Sequence, residues 1–319
     1  MPHKVGFADI CNAHQRIAPH VHRTPVLTCS SLDKRLGAGV FFKCENFQKT
    51  GSFKIRGASN ALLSLTKEEK NRGVITHSSG NHAQALAHAA RSEGIKATII
   101  MPSNSTPVKM QAVAGYGADI RSCDPGQESR EAVCREVQQE TGSVFISPYN
   151  DNRIIAGQGT AALELASDMP DLDMLLVPVG GGGLLAGSAL AAKGVNTDIK
   201  VIGTEPETAN DAYQSFRKGK IIPVTRPDTV ADGLRTSLGI LTFAVISEQA
   251  DDIITVSEEA IILAMRYVWE RMKIIIEPSS AVPVAALMSG NINVRNKQIG
   301  VVLSGGNVNL DQLPWMQHV

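Results

Sequence analysis

The chain has 319 residues, of which 43% are hydrophobic and 19% are charged, a composition that fits one large or two ordinary globular domains and excludes a disordered or coiled-coil architecture. The 31 Lys and Arg residues balance the 31 Asp and Glu residues, which gives no support to nucleic-acid or membrane binding. Aromatic residues make up only 4%, too few for a base-stacking platform. We therefore expect a partner that is neither a nucleic acid nor a membrane.

Five cysteines, an odd number without a Cys-x-x-Cys pair, argue against a disulfide framework and for a reducing, cytoplasmic location. The N-terminal segment has no apolar run of the signal-peptide type. Residues 174–192 carry no charge over a length that would cross a membrane, but Pro178 and four consecutive glycines interrupt them. This stretch is predicted to be a buried strand, a turn and a helix.

Alternating strand and helix patterns form two blocks along the chain. In the first block, strands are predicted at 74–77, 96–101, 118–123 and 144–146. Helices are predicted between them at 82–91, from about 107, and at 128–140. A strictly alternating order of this kind predicts a small parallel sheet with helices on its faces.

The second block starts near residue 155 and has the same alternation. Strands are predicted at 175–179, 200–202, 253–256 and 298–303, and a helix at 184–192 follows the glycines. Another helix is opened by Ser257, because a serine cap is followed by Glu258 and Glu259 in the first turn. The boundary between the two blocks is predicted near residues 147–155.

A first segment with chemical potential surrounds Lys54, in the stretch 49–58 (KTGSFKIRGA). Phe53 and Ile55 flank this lysine and would shield it from water. Desolvation lowers the pKa of an ammonium group, and the free amine then forms Schiff bases. An ordinary surface lysine in a basic loop is the alternative interpretation.

A second segment, 179–184 (VGGGGL), joins a predicted strand to a predicted helix. Backbone N–H groups at such a turn hold a phosphate without needing a lysine or an arginine. The pattern is neither a nucleotide P-loop nor a dinucleotide-binding fingerprint. A tight turn without a ligand is the alternative.

Two more segments place polar groups at the ends of predicted strands. Residues 77–82 (HSSGNH) precede a helix and offer hydroxyl, amide and N–H groups that suit a carboxylate, although a simple helix cap is an equal alternative. Residues 304–307 (SGGN) follow the strand at 298–303. Ligands bind beyond such strand ends in open α/β sheets, but a glycine-rich turn is the alternative.

Together these four segments resemble the pyridoxal-phosphate enzymes of the tryptophan-synthase-β group, and most closely the serine racemase and serine/threonine dehydratase family. The resemblance extends from 24–27 (TPVL) to 304–307, and 42–54 (FKCENFQKTGSFK) is its most specific part. Segments 156–160 (AGQGT) and 277–279 (EPS) add to it. It implies fold type II, an α/β fold with two open, twisted, mostly parallel sheets flanked by helices. Residues 1–70 and 150–319 would form a large cofactor-binding domain, and 71–149 a small mobile domain.

The resemblance implies a role for each matching residue. Lys54 would carry pyridoxal phosphate as a Schiff base, Phe53 would lie against its ring, and Ser304 would bond the ring nitrogen. Asn81 would bond the ring hydroxyl. The phosphate would be bound by the turn of Gly180, Gly181, Gly182, Gly183 and Leu184. The substrate carboxylate would be held by Ser78, Ser79, Asn81 and His82, with Arg130 closing from the small domain.

Ser79 is the position that bears on the reaction. Many dehydratases of the family have alanine here, whereas a hydroxyl opposite Lys54 supplies the second proton donor and acceptor that racemisation needs. The resemblance therefore implies a serine racemase activity that interconverts L- and D-serine, accompanied by elimination of serine to pyruvate and ammonia. A threonine/serine dehydratase or a 3-hydroxyaspartate dehydratase is the alternative within this chemistry. A non-catalytic amino-acid or nucleotide sensor is the alternative of a different class.

The resemblance also implies a cation loop at 205–211 (EPETAND). Glu205, the carbonyl of Ala209 and Asp211 would bind Mg²⁺, or else Ca²⁺ or Mn²⁺, because hard cations prefer oxygen ligands. Glu207 is an alternative ligand.

Two further expectations come from the resemblance. The protein would be a homodimer acting on small amino acids such as serine and threonine, and ATP would be an effector in a site matched in part by Lys49, Thr50, Lys273 and Asn307. One departure lies after Glu277 and Pro278, where Ser279-Ser280-Ala281 replaces the family's Thr-Gly or Thr-Ala-Gly. The added bulk there would reshape the pocket near the ring.

Overall fold

The computed structural model describes residues 4–225 and 227–316, and its strands, numbered along the chain, form two sheets. The larger sheet has six strands in the spatial order β1 (Val26–Thr28), β2 (Gly39–Cys44), β10 (Gln298–Leu303), β7 (Met174–Pro178), β8 (Lys200–Pro206) and β9 (Asp252–Val256). Only β1 and β2 pair in antiparallel fashion. The smaller sheet is entirely parallel, in the order β5 (Asp119–Cys123), β4 (Ala97–Pro102), β3 (Val74–His77) and β6 (Val144–Phe145).

Helices connect the strands and cover both sheets. Before the smaller sheet come α1 (Phe7–Ile17), α2 (Ser30–Leu36), α3 (Lys54–Leu63) and α4 (Lys67–Arg72). Within it are α5 (Asn81–Ser92), α6 (Pro107–Gly115) and α7 (Gln127–Thr141). The rest are α8 (Asn152–Asp168), α9 (Gly183–Val195), α10 (Asp211–Lys218), α11 (Ile240–Gln249), α12 (Glu258–Met272) and α13 (Pro278–Met288).

The predicted fold class is confirmed: two mostly parallel sheets are flanked by helices. The central strands are continuous apolar runs because both faces of each are covered, and every residue of β4 and β7 is buried. The strand predicted at 298–303 matches β10. The uncharged stretch 174–192 is the strand, turn and helix that its glycines indicated. In the described residues, no helix is long and apolar enough to cross a membrane, and all five cysteines are free thiols.

Helix α8 packs backbone to backbone against its two neighbours. A Cβ atom on Gly157 would lie 2.6 Å from the Cα of Gly57 in α3, and one on Gly187 in α9 would lie 2.3 Å from the carbonyl oxygen of Ile155. Neither position has room for a side chain. Gln158 adds a hydrogen bond, since its Oε1 accepts from the N–H of Gly57 at 3.0 Å. We call this contact of α3, α8 and α9 the glycine seam.

A buried charge cluster ties α3 to β2 and α8. Arg56 is fully buried and donates to Glu45 (Nε to Oε2, 2.7 Å) and to Glu164 (Nη1 to Oε1, 2.8 Å). Lys43 Nζ also contacts Glu164 Oε2 at 2.7 Å and donates to the carbonyl of Thr24 at 2.7 Å. Two cations and two carboxylates therefore neutralise one another inside the protein. Without their partners they would not tolerate this burial.

The two sheets meet at the edge where their strands end. An antiparallel bridge joins Ser52 to Gly305, just after β10, so the chain entering α3 is fixed to the end of the central strand. From the other sheet, Lys109 of α6 reaches Asp232 of the larger unit, with Nζ and Oδ2 2.9 Å apart. Asn81, which follows β3, accepts a hydrogen bond from Asn307, which follows β10, at 2.9 Å, so the carboxyl ends of these two strands face one shared cleft.

Candidate active site

Lys54 is the first residue of α3 and is half-buried at this cleft. Its Nζ donates to the carbonyl oxygen of Pro148 at 2.8 Å and lies 5.2 Å from the centre of the Phe53 ring. Burial lowers the pKa of Lys54 to about 8, although the Glu277 carboxylate opposes the shift. The amine is therefore far more available than that of an ordinary lysine.

Ser304 directly follows β10, and its main chain holds the residue before Lys54, because the N–H of Phe53 donates to the carbonyl oxygen of Ser304 at 3.0 Å. The side chain of Ser304 is buried, with its Oγ 3.1 Å from the Oγ of Ser280 in α13. This main-chain hydrogen bond fixes Lys54 relative to Ser304. The two residues are those predicted to contact opposite parts of one cofactor ring.

Asn81 begins α5 and is held by two partners, one just before α13 and one just after β10. Its Nδ2 donates to both carboxyl oxygens of Glu277, at 2.9 and 3.1 Å, and its Oδ1 accepts from Asn307 at 2.9 Å. Burial raises the pKa of Glu277 to about 8, and the Asp232 carboxylate adds to the effect. Glu277 lies in the EPS segment, but no sequence pattern indicates a role for it, since only the folded chain brings it to Asn81.

The four-glycine turn has the features of a phosphate cradle. Gly182 adopts φ +88° before α9, and Thr242 Oγ1 donates to the carbonyl of Gly181 at 2.8 Å. Among the described residues, none accepts a hydrogen bond from the N–H of Gly180, Gly181 or Gly182, and the first-turn N–H groups of α9 have no intrahelical partner. The donors of this turn, which includes Gly183 and Leu184, therefore fit an anion.

Tyr149 explains why one of these positions must be glycine. A Cβ atom on Gly181 would lie 2.3 Å from the Cγ atom of the Tyr149 ring. The same segment carries the Pro148 carbonyl that binds Lys54, and Asn150 Oδ1 accepts from the N–H of Leu241 at 2.9 Å. Residues 148–150 thus connect the lysine to the phosphate turn. No sequence motif indicated them.

The segment after β3 presents one hydroxyl without a partner. Ser78 Oγ accepts from the N–H of Gly80 at 3.4 Å, whereas the Ser79 hydroxyl makes no hydrogen bond to the residues described. His82 is buried, and its Nε2 contacts the carbonyl oxygen of Ile146 at 3.2 Å. Burial and the nearby Lys54 lower the pKa of His82 to about 3. Its imidazole is neutral and packed inside, so a substrate contact from this residue would come from its main-chain N–H.

Arg130 lies on α7, on the smaller sheet's side of the cleft. It is half-buried, and its Nε atom is buried without a hydrogen-bond partner in the described part of the chain. Burial lowers the pKa of His77, and the charge of Arg130 adds to this shift while Glu131 opposes it. Arg130 is therefore close to the end of β3, as a residue that closes on a substrate carboxylate would be.

The predicted cation loop brings two carboxylates together. Glu205 lies near the end of β8, and its carboxyl oxygens accept hydrogen bonds from the N–H groups of Ala212 (3.0 Å) and Tyr213 (2.9 Å). Burial raises the pKa of Glu205 to about 9, with Asp211 adding repulsion, and burial raises the pKa of Asp211 to about 7. Both carboxyl oxygens of Asp211 are buried, and the carboxyl groups of Asp211 and Glu205 lie against each other. This donor set fits a hard cation. Ala209 is buried beside it, and Glu207 is exposed.

Two of the four residues matched to a nucleotide site contact each other. Asn307 Nδ2 donates to the carbonyl of Thr50 at 2.8 Å, and Thr50 has a left-handed φ of 61°. Lys49 Nζ donates to the carbonyl of His20 at 2.8 Å, and Lys273 follows α12 with φ 59°. Asn307 also bonds Asn81, so this corner of the surface is one hydrogen bond from the cleft.

Comparison with known proteins agrees with this geometry. The family model described as "Pyridoxal-phosphate dependent enzyme" matches residues 17–305. A serine racemase from Dictyostelium discoideum is 46% identical, with 97% of each chain covered. A beta-hydroxyaspartate dehydratase from Paracoccus denitrificans is 45% identical over 97% of this chain and 98% of that protein. The solved structure of maize serine racemase superposes with a TM-score of 0.95 at 45% identity, covering 99% of this chain and 97% of that one.

The lowered pKa of Lys54, the glycine turn and the buried Ser304 are consistent with these matches. The chain therefore belongs to the pyridoxal-phosphate-dependent enzyme family and has fold type II.

Proposed function

We propose that the protein is a pyridoxal-phosphate-dependent serine racemase that also eliminates water from serine to give pyruvate and ammonia. The observation that carries the proposal is the approach of segment 78–82 to Lys54, whose charge helps to lower the pKa of His82; the Ser79 hydroxyl of that segment has no partner among the described residues. The similarity to serine racemases over nearly the whole chain supports the same reaction.

The residues of the cleft have the properties that the cofactor needs. The turn at Gly180–Gly183 offers N–H donors for its phosphate, Phe53 packs beside the lysine, and Ser304 offers a buried hydroxyl for the ring nitrogen. When bound, pyridoxal phosphate withdraws electrons from the substrate α-carbon and so acidifies its proton. The protein's own contribution is to hold the substrate and move that proton.

Two proton carriers distinguish racemisation from simple elimination. In the proposal, the Lys54 amine takes or returns the α-proton on one face of the substrate, and the Ser79 hydroxyl does so on the other. Ser78 and the N–H groups at the start of α5 bind the substrate carboxylate, and Arg130 closes over it. Elimination needs only Lys54 and an acid for the leaving hydroxyl, so pyruvate accompanies D-serine.

Chiral analysis of the products from L-serine tests the activity. The wild-type enzyme is expected to release D-serine and pyruvate. Ser79→Ala is expected to lose at least tenfold in D-serine formation while retaining elimination, and Ser79→Thr, which keeps the hydroxyl, is the control expected to retain part of the racemisation. Pyruvate without any D-serine from the wild type contradicts the racemase proposal.

Borohydride reduction tests the cofactor attachment separately. Reduced holoenzyme is expected to yield one pyridoxyl-labelled peptide, which contains Lys54. Lys54→Arg is the matched control because it keeps the charge but cannot form an imine. A label on another lysine, or on none, contradicts the site.

A dehydratase of 3-hydroxyaspartate is the second candidate, because a relative of that name from Paracoccus denitrificans is 45% identical over 97% of this chain. Comparison of kcat/KM for L-serine, L-threonine and 3-hydroxyaspartate separates the candidates. A value for 3-hydroxyaspartate well above that for serine, with no D-serine formed, favours the dehydratase.

A divalent cation, Mg²⁺, Ca²⁺ or Mn²⁺, is part of the proposal, bound by Glu205, Asp211 and the carbonyl of Ala209. The burial of the two adjoining carboxyl groups of Glu205 and Asp211 supports it. Mg²⁺ is expected to raise the thermal midpoint of the wild type by mass action and to have no effect on Asp211→Asn. Glu207→Gln, which alters an exposed carboxylate, is expected to respond like the wild type. An equal response of Asp211→Asn rejects the site.

The proposal also includes a small mobile domain at 71–149, a homodimer, a cytoplasmic location and regulation by ATP near Thr50 and Asn307. All four strands of the smaller sheet fall within 71–149, which supports a separate unit. Sedimentation with and without ATP reports the oligomer. Hydrogen exchange with and without serine reports closure, which is expected to protect the cleft side of this unit.

A further inference from the structure

Ser280, in the first turn of α13, is completely buried with its hydroxyl against the end of β10. Its Oγ accepts from the N–H of Gly305 at 2.7 Å and donates to the carbonyl oxygen of the same residue at 2.6 Å. Its third neighbour is the Oγ of Ser304 at 3.1 Å. The proposed function does not use this hydroxyl, although it contacts the residue assigned to the ring nitrogen.

Counting protons shows which of the two serines is the donor. A hydroxyl donates one proton and accepts through two lone pairs. The carbonyl of Gly305 takes the proton of Ser280, because that contact measures 2.6 Å against 3.1 Å to Ser304. One lone pair of Ser280 receives the Gly305 N–H, and the other is left to accept. The Ser304 hydroxyl therefore donates to Ser280 and keeps its own lone pairs for a ligand.

We propose that Ser280 is a positioning residue that makes Ser304 a hydrogen-bond acceptor, so that the ring nitrogen of bound pyridoxal phosphate keeps a proton. This inference rests on the proposed function, which assigns Ser304 to that nitrogen. A serine without such a partner donates to the nitrogen and leaves it neutral. A protonated ring withdraws electrons more strongly, and removal of the substrate α-proton is then easier.

No neighbouring charged group decides whether the Ser304 hydroxyl donates or accepts; only its contact with the Ser280 hydroxyl does. The titratable groups beside it are Glu277, whose carboxyl lies against Gly305, and Lys54, whose preceding residue bonds Ser304. The Glu277 carboxyl is bonded to Asn81, and the Lys54 amine to the carbonyl of Pro148. Neither makes a hydrogen bond to the two hydroxyls.

Nitrogen-15 NMR of holoenzyme reconstituted with ring-labelled pyridoxal phosphate tests the inference. The wild-type resonance is expected at the upfield position of a protonated ring nitrogen. Ser280→Ala is expected to move it downfield, with about a tenfold loss of proton affinity, because one neutral hydrogen bond is exchanged. Ser279→Ala is the matched control, since it removes a neighbouring buried hydroxyl that bonds the N–H of Gly233 at 3.1 Å, and is expected to leave the resonance unchanged.

Two further variants keep the test decisive. Ser280→Cys has a similar shape and a weaker acceptor for the Ser304 proton, and it is expected to shift the resonance in the same direction if the alanine variant does not fold. An unchanged resonance in the folded Ser280 variants overturns the inference. If Ser304→Ala alone shifts the signal, Ser304 contacts the nitrogen and only the role of Ser280 fails. If Ser304→Ala also leaves it unchanged, the assignment of Ser304 under the proposed function fails too.

Discussion

Trace acetylation of the cofactor-free protein at a series of pH values would measure the basicity of the Lys54 amine. Its side chain lies against Phe53 and the carbonyl of Pro148, and burial lowers the pKa of Lys54 to about 8. At pH 7.5 about a quarter of the Lys54 amines would then be uncharged, against about one in a thousand for a lysine of ordinary pKa. A reactive fraction larger by about two orders of magnitude is the expected signature.

The assay follows acetylation of individual lysine peptides by mass spectrometry. Acetic anhydride at trace concentration labels only the uncharged amine, so the rate for each lysine follows its own titration. The exposed Lys200 of β8 serves as the reference for an accessible lysine on the same chain. The Lys54 rate is expected to rise as pH increases, to reach half its maximum near pH 8 and to level off about one unit above that.

Replacing Glu277 gives a second arm with a definite sign. The carboxylate of Glu277 favours the charged form of Lys54 and so raises its pKa. Glu277→Gln removes this charge, and the midpoint of the Lys54 curve is expected to move to lower pH. A wild-type midpoint near that of an ordinary lysine, about 10.4, would refute the desolvated pocket. An upward shift in Glu277→Gln would refute the electrostatic assignment.

Three other substitutions test other parts of the fold. Arg56→Met leaves two buried carboxylates without their shared cation and is expected to lower the free energy of unfolding by about 3–5 kcal/mol in urea titrations; a loss under about 1 kcal/mol contradicts the cluster's role. Gly181→Ala puts a Cβ atom 2.3 Å from the Tyr149 ring and is expected to weaken pyridoxal-phosphate binding about tenfold or more in equilibrium titrations. Gly115→Ala, where nothing lies within 4 Å, is its control. Lys109→Ala removes a part-exposed contact between the two sheets, worth about 0.2–1 kcal/mol, and is expected to raise KM for serine up to about fivefold at low salt with kcat little changed; an unchanged KM rejects a role in closure.

Most of the sheet strands were predictable because burial on both faces leaves a continuous apolar run. β10 is an example, with five of its six residues buried. β2 lacks this signal, although it is the neighbour of β10 in the sheet. β2 contains Lys43, and a lysine in a hydrophobicity pattern is normally assigned to the surface. Lys43 can be buried because it pairs with Glu164 of α8. Charge pairing across distant segments does not show in a local pattern.

The residues of the candidate site also fall into those that the sequence predicts and those that only the folded chain reveals. Lys54 and the four-glycine turn stand out because unusual local sequences are needed to build them. Glu277 and Tyr149 do not stand out, since their contacts with Asn81 and Gly181 join residues far apart in the chain. The direction of the His82 imidazole was not predictable either. It depends on the carbonyl of Ile146, which reaches it only after β6 has paired with β3.

The glycine seam has a consequence for how a ligand is received. Helix α3 begins at Lys54 and α9 begins at the phosphate turn, and α8 touches both of them through main-chain atoms. Because main-chain atoms meet directly at Gly157 and Gly187, and the Gln158 side chain is fixed by its bond to Gly57, the three helices form one stiff block. The span between the reactive amine and the anion cradle is therefore set when the chain folds. A ligand that contacts both the Lys54 amine and the phosphate turn must therefore match this fixed distance. Shorter aldehydes or isolated phosphates can occupy only one of the two positions at a time.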